Sequence, residues 1–237
     1  MITKKFHYLL LSFALCSIGL RAQSTAGEAP VDVMTYMENA QKGDTQAQYN
    51  LALCLLSGTG VAQNPTQAVF WAGQAAEQGM PEAQNMLADC LLNGTGIPKD
   101  YKQAVEWYRK AAEQGYTKAY VGLGTCYYRG KGVKKDYERA AYNFRKAAEA
   151  GDAAAQNNLA YCYLRGRGVE KNPVEAYNWY RKAADQGDAA GQYNVGVCYD
   201  NGQGVPQDHK EAARWLQMAS DQGYEQATKL LRRARFH

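Results

Sequence analysis

No stretch of the 237 residues offers the roughly twenty consecutive apolar side chains of a bilayer span, which excludes a multi-span membrane protein. Histidine is scarce, with only His7, His209 and His237. No HExxH pair, Walker loop, Ser-His-Asp order or paired acidic motif can be drawn. CxxC pairs and Cys/His clusters are missing as well, so no metal, cofactor or catalytic residue is assigned. Excess charge is also lacking. The formal net charge of +4 includes Lys4, Lys5 and Arg21 near the N-terminus; without them 24 basic residues face 23 acidic ones. A balance that close to neutral gives no reason to expect a nucleic-acid partner. The remainder, 46% hydrophobic and 21% charged, is enough to bury a core.

Residues 1–22 have the order of a secretory signal: basic Lys4 and Lys5, an apolar stretch from Tyr8 to Leu20, then Ala22. Leu20-Arg21-Ala22 is an imperfect small-residue cleavage site. The competing readings are a retained anchor, for which the stretch is short, and acylation at Cys16, which bulky Leu15 disfavours. An exported protein is expected, periplasmic or secreted, with a bacterial envelope as the setting and no stable membrane insertion once the signal is removed.

Beyond the signal, Gly43, Gly79, Gly115, Gly151, Gly187 and Gly223 recur every 36 residues. A second mark keeps the same period: Gly58-Thr-Gly-Val61, Gly94-Thr-Gly-Ile97, Gly130-Lys-Gly-Val133, Gly166-Arg-Gly-Val169 and Gly202-Gln-Gly-Val205. Self-similarity at this length is the signature of a solenoid. In each first half, apolar residues such as Ala83, Leu87, Cys90 and Leu91 fall at i, i+4, i+7 and i+8, on one face of a helix. Asn64, Asp100, Asp136, Asn172 and Asp208 then open a second helix as acceptors for its free amides. That helix carries alanines at 68, 104, 140, 176 and 212, which allow close approach, and Trp71, Trp107, Trp179 and Trp215 to fill larger gaps. The expected fold is therefore all-α: an α/α solenoid of five helical hairpins (43–78, 79–114, 115–150, 151–186, 187–222). A linker at 23–30, an N-terminal capping helix at 31–42 and a C-terminal one at 223–237 complete the chain, which is expected to be a monomer.

The stretch Asp100-Tyr-Lys-Gln-Ala-Val-Glu-Trp-Tyr-Arg-Lys-Ala-Ala-Glu-Gln-Gly115, preceded by Gly94-Thr-Gly96, resembles a Sel1-like repeat, the longer cousin of the tetratricopeptide repeat. Similar stretches stand at 64–79, 136–151, 172–187 and 208–223. The resemblance implies a scaffold that holds other proteins, with first helices lining a concave wall. Repeat three departs at Asn143, where the tryptophan is missing, and looser packing is expected there. Cysteine-rich exported relatives imply an alternative function, hydrolysis or binding of cell-wall fragments or β-lactams. Such relatives pair two cysteines within a hairpin; this chain lacks the second of each pair.

Cys54, Cys90, Cys126, Cys162 and Cys198 sit at one helical position in successive repeats. Equivalent positions of stacked helices lie about 10 Å apart, beyond the roughly 7 Å that a disulfide tolerates. Buried, inert thiols are expected.

In the first helices the position set of 47, 51, 54 and 55 is nearly constant between repeats, whereas that of 49, 53, 56 and 57 varies and falls on the opposite side. A protein-binding groove is accordingly expected from Tyr49, Leu53, Asn85, Asp89, Val121, Thr125, Tyr128, Arg129, Asn157, Tyr161, Arg165, Tyr193 and Asp200. Tyrosine and arginine with scattered amides suit a protein or peptide partner. The bland reading is a merely solvated face, with the ligand at an edge or on the convex side.

Overall fold

The computed structural model describes residues 32–234, so the signal and linker expected at 1–30 lie outside the described residues. The described chain is an all-α solenoid of twelve helices, without a strand. They form two compact units, divided between Gln114 and Gly115. The first unit contains α1 (Val33–Gln41), α2 (Thr45–Ser57), α3 (Pro65–Glu77), α4 (Pro81–Asn93) and α5 (Tyr101–Glu113). The second contains α6 (Thr117–Arg129), α7 (Tyr137–Glu149), α8 (Ala153–Arg165), α9 (Pro173–Asp185), α10 (Ala189–Asn201), α11 (His209–Asp221) and α12 (Glu225–Ala234). No helix among the described residues is long and apolar enough to cross a membrane.

Repeat four shows how the sequence builds a hairpin. The Asp152 carboxylate accepts from the Ala155 amide at 2.7 Å and starts α8. Ala155, Leu159 and Cys162, spaced i, i+4 and i+7, are all fully buried. Gly166, at φ +63°, ends the helix, and its amide and that of Arg167 both donate to the Cys162 carbonyl. After a short turn the Asn172 amide donates to the Tyr163 carbonyl, while its side chain caps α9 through the Glu175 amide. Pro173 takes the first helical position, where a missing N–H costs nothing. Ala176, Tyr180, Ala183 and Ala184 then form the buried face of α9.

Two devices register one repeat on the next. The first is the second glycine of the turn, at Gly96, Gly168 and Gly204. A Cβ built on Gly168 would stand 1.9 Å from the Tyr137 carbonyl oxygen, where α7 begins. Gly96 meets the Pro65 carbonyl in the same way and Gly204 meets that of Pro173. The backbone of one turn therefore rests directly on the first turn of the preceding second helix.

The second device is a buried glutamine. Gln156 Nε2 donates to the Ala148 carbonyl of the preceding repeat at 3.2 Å, and its Oε1 accepts from Gln186 Nε2 at 2.8 Å. Gln48 and Gln84 repeat the arrangement with Ala40 and Gln78, and with Ala76 and Gln114. Gln192 accepts from Gln222. Repeat three lacks both partners, carrying Tyr120 and Ala150 in their places.

The looser packing expected at Asn143 is corrected. Asn143 is itself buried, and its amide donates to the Arg139 carbonyl at 2.7 Å within its own helix. Phe144 closes the repeat by pressing on Gly124, where a Cβ would lie 2.6 Å from the ring.

All five repeat cysteines are buried. Burial pushes Cys90, Cys162 and Cys198 from near 9 up to about 11, with Asp89 adding to the shift at Cys90. A raised pKa in the folded state means that stability is complete below about pH 9, where the unfolded thiols are also neutral, and is lost as pH rises towards 11. The urea midpoint should therefore fall between pH 9 and pH 11. It should fall less in a triple variant with Cys90→Ala, Cys162→Ala and Cys198→Ala. Equal falls would separate the thiols from folding.

Candidate functional site

In α2 the constant positions are buried: Ala47, Leu51, Cys54 and Leu55 are each at most 7% exposed. The variable face divides between the two units. In the first, Leu53 is 42% exposed and Asp89 is exposed. Tyr49 is half-buried against Ala52, Ala72 and Met86. Asn85 is a correction: it is buried, because α4 turns that position into the packed interior. Its amide donates to Asp89 at 2.9 Å, and the Tyr108 hydroxyl donates to the other oxygen of that carboxylate. The Asn85 carbonyl oxygen is buried without a described donor.

In the second unit several expected groove residues serve the frame. Val121 and Thr125 are half-buried, and the Thr125 hydroxyl donates to the Val121 carbonyl at 2.9 Å. Asn157 is not a free amide. It donates to the Ala153 carbonyl and to the Asp188 carboxylate at 2.6 Å, and it accepts from Asn194, so it clips α8 to α10. Tyr193 is half-buried beside Leu216 and Ala219, with its ring 5.3 Å from that of Tyr224. Asp200 faces His209 Nδ1 at 3.0 Å.

What the fold does bring together is Tyr128, Tyr161 and Arg165, joined by two residues that the reading of helix faces missed, Tyr137 and Arg167. The Tyr128 ring lies 5.2 Å from Tyr137 and 6.3 Å from Tyr161. The Arg167 guanidinium lies over all three rings, at 5.3, 5.4 and 5.6 Å, and donates to the Tyr128 hydroxyl. Arg165 lies 5.6 Å from the Tyr161 ring, and Arg129 is exposed at the end of α6. Below them, burial holds the Tyr180 hydroxyl well above its ordinary pKa, Cys198 and Tyr161 adding to the shift and Arg165 opposing it. A signal for Arg167 was available: the middle residue of the turn changes from Thr59 and Thr95 to Lys131, Arg167 and Gln203.

The hydroxyls that could act as nucleophiles are engaged with the frame. Ser57 bonds the Leu53 carbonyl and Thr59, as Thr125 bonds Val121. No group of three or more His, Cys, Asp or Glu side chains among the described residues could hold a metal. The arrangement suits recognition by stacking and by guanidinium hydrogen bonds.

The Sel1 repeat family model matches residues 45–80, 81–116, 117–152, 153–188 and 189–224. A solved Sel1 repeat protein from Oxalobacter formigenes is 34% identical, with a TM-score of 0.76, over 86% of this chain and 87% of that one. The protective antigen c5321 of uropathogenic Escherichia coli, which displays an SLR fold, is 38% identical with a TM-score of 0.76 over 83% of this chain. This chain spans only 42% of that protein's length. The immunity protein Pa5087 of Pseudomonas aeruginosa, 20% identical over 87% of this chain and 78% of its own with a TM-score of 0.54, shares the fold alone. No curated protein matches.

Proposed function

Because the chain belongs to the Sel1 repeat family, we propose that it is an exported scaffold holding a protein or peptide against the exposed face of its first helices. Sel1 repeats generally serve as scaffolds for protein–protein interaction. One observation carries the reading for this chain. A single repeat position holds Leu53, Asp89, Thr125, Tyr161 and Val197, five different side chains on one frame, and Leu53 and Tyr161 leave it as large exposed hydrophobics. The frame does not dictate the residue there, so the position is free to be specialised for a partner.

The test is capture from an envelope extract by the purified protein and by a Leu53→Ser, Tyr161→Ser variant, once circular dichroism shows the variant equally helical. The parent should hold a partner that the variant binds at least about tenfold more weakly, as loss of interface anchors does. A partner held equally by both would move the site to another surface.

A further inference from the structure

The residues at the end of each first helix and in its turn are unevenly charged. Repeats one, two and five carry Ser57 with Thr59, Asn93 with Thr95, and Asn201 with Gln203. Repeats three and four carry Arg129 with Lys131, and Arg165 with Arg167. The same turns add Lys134, Lys135 and Lys171, against Glu170 and the helix-capping carboxylate of Asp136. Two adjacent turns of the second unit thus concentrate basic charge in a chain whose overall balance, without the N-terminal segment, is nearly neutral.

The frame does not require this charge. A cation at a helix C-terminus complements the helix dipole, yet α2, α4 and α10 end on the same left-handed glycine with no basic residue in the last turn. Nor are its arginines paired with acidic side chains. Among the described residues no carboxylate forms an ion pair with Arg129, Arg165 or Arg167. Two guanidiniums instead share one ring, each 5.6 Å from the centre of Tyr161. Like charges gathered on one aromatic side chain repel, and an arriving anion relieves that repulsion.

We infer that the Arg–Tyr edge formed by the ends of α6 and α8 and their turns docks an acidic peptide segment of a protein partner. This rests on the scaffold reading and gives its partner a chemistry. Arg167 is held in advance by three tyrosine rings and the Tyr128 hydroxyl. A guanidinium carries five N–H donors in a planar fork that matches a carboxylate, and stacking leaves most of them available. Pre-ordering removes part of the entropic cost that a long side chain otherwise loses on binding. The adjoining tyrosines, of which Tyr161 is 37% exposed, supply apolar contact for side chains between the carboxylates. A nucleic acid or anionic membrane wants a broad basic stripe, whereas this cluster is confined to two turns.

The probe is a fluorescein-labelled dodecapeptide of alternating acidic and small residues with one central phenylalanine, read by anisotropy. Its counterpart replaces every Asp and Glu by Asn and Gln. The parent should bind the acidic peptide at least about tenfold more tightly than the amide peptide, and Arg165→Gln with Arg167→Gln should weaken it at least about tenfold. Lys102→Gln with Lys210→Gln removes the same charge from second helices and should change binding less than about twofold, after screening by 0.1 M salt. No preference for the acidic peptide, or equal losses in the two double variants, overturns the proposal. Stronger, arginine-dependent binding of a sulfated oligosaccharide or of phosphatidylglycerol vesicles also overturns it and assigns the edge to another polyanion. A protein that captures an envelope partner but does not discriminate the peptides defeats this inference alone. One that discriminates the peptides but captures nothing defeats the scaffold reading alone.

Discussion

Gly168→Ala is expected to destabilise the second unit by more than about 3 kcal/mol, which places it among the severe single substitutions. Two costs combine. Gly168 has φ +71°, a conformation in which a Cβ costs about 1–2 kcal/mol by itself. The added methyl would also stand 1.9 Å from the Tyr137 carbonyl oxygen and 2.6 Å from the Glu138 amide nitrogen. Those are backbone atoms at the start of α7, so relief requires separating repeat four from repeat three. Gly187→Ala is the control, because φ is +85° there but nothing lies within 4 Å of the new Cβ. It should cost only the conformational part, about 1–2 kcal/mol. Urea unfolding followed by far-UV circular dichroism separates the two. Equal losses would mean that the close approach of the turn contributes nothing.

Gln156→Ala should cost about 2–4 kcal/mol, from two sources. Truncation leaves the Ala148 carbonyl buried without its partner, at about 1–3 kcal/mol for an unmade hydrogen bond, while the exposed Gln186 amide can turn to water. It also opens a small cavity, because Gln156 is 4% exposed. The sharper expectation concerns repeat three, where Tyr120 and Ala150 replace both members of the pair. Transplanting that solution as Gln156→Tyr with Gln186→Ala should destabilise less than the sum of the two single changes, with a coupling of at least about 1 kcal/mol. Additive losses in a double-mutant cycle would show that the two positions do not act together.

These glutamines also mark where the sequence was legible and where it was not. Glycines on a 36-residue period were read directly as the frame, and the helices begin and end where the caps and glycines place them. Gln48, Gln84, Gln156 and Gln192 keep the same period, as do Gln78, Gln114, Gln186 and Gln222. Their joint loss from repeat three was therefore visible. Polar residues on a helix read as solvated, however, and only the stacked neighbour shows that a carbonyl waits for them.

Two positions of the candidate face were misread for a different reason. Variation between repeats identifies positions that the frame does not force to be alike, but it does not measure exposure. Asn85 and Asn157 vary in type against Tyr49 and Val121, yet one is buried and the other ties α8 to Asp188. Arg167 was passed over because its turn carried the invariant glycines and was read as frame throughout. The side chain between two constrained glycines is free, and a turn that must rest on the preceding repeat delivers it beside Tyr128 and Tyr137.

The contact between the second glycine of a turn and the preceding hairpin has a consequence for heredity. It joins equivalent positions of neighbouring repeats, as the glutamine junction does, so the chain can gain or lose length only in whole steps of 36 residues. Deleting 151–186 would set Gly204 on the Tyr137 carbonyl in place of Gly168, and Gln192 beside Ala148 in place of Gln156. A deletion one residue longer or shorter would rotate the next helix by about 100° and turn its buried face outward. Gene segments encoding this protein are thus exchangeable in one fixed phase, and two such segments alone carry the basic pairs Arg129 with Lys131 and Arg165 with Arg167.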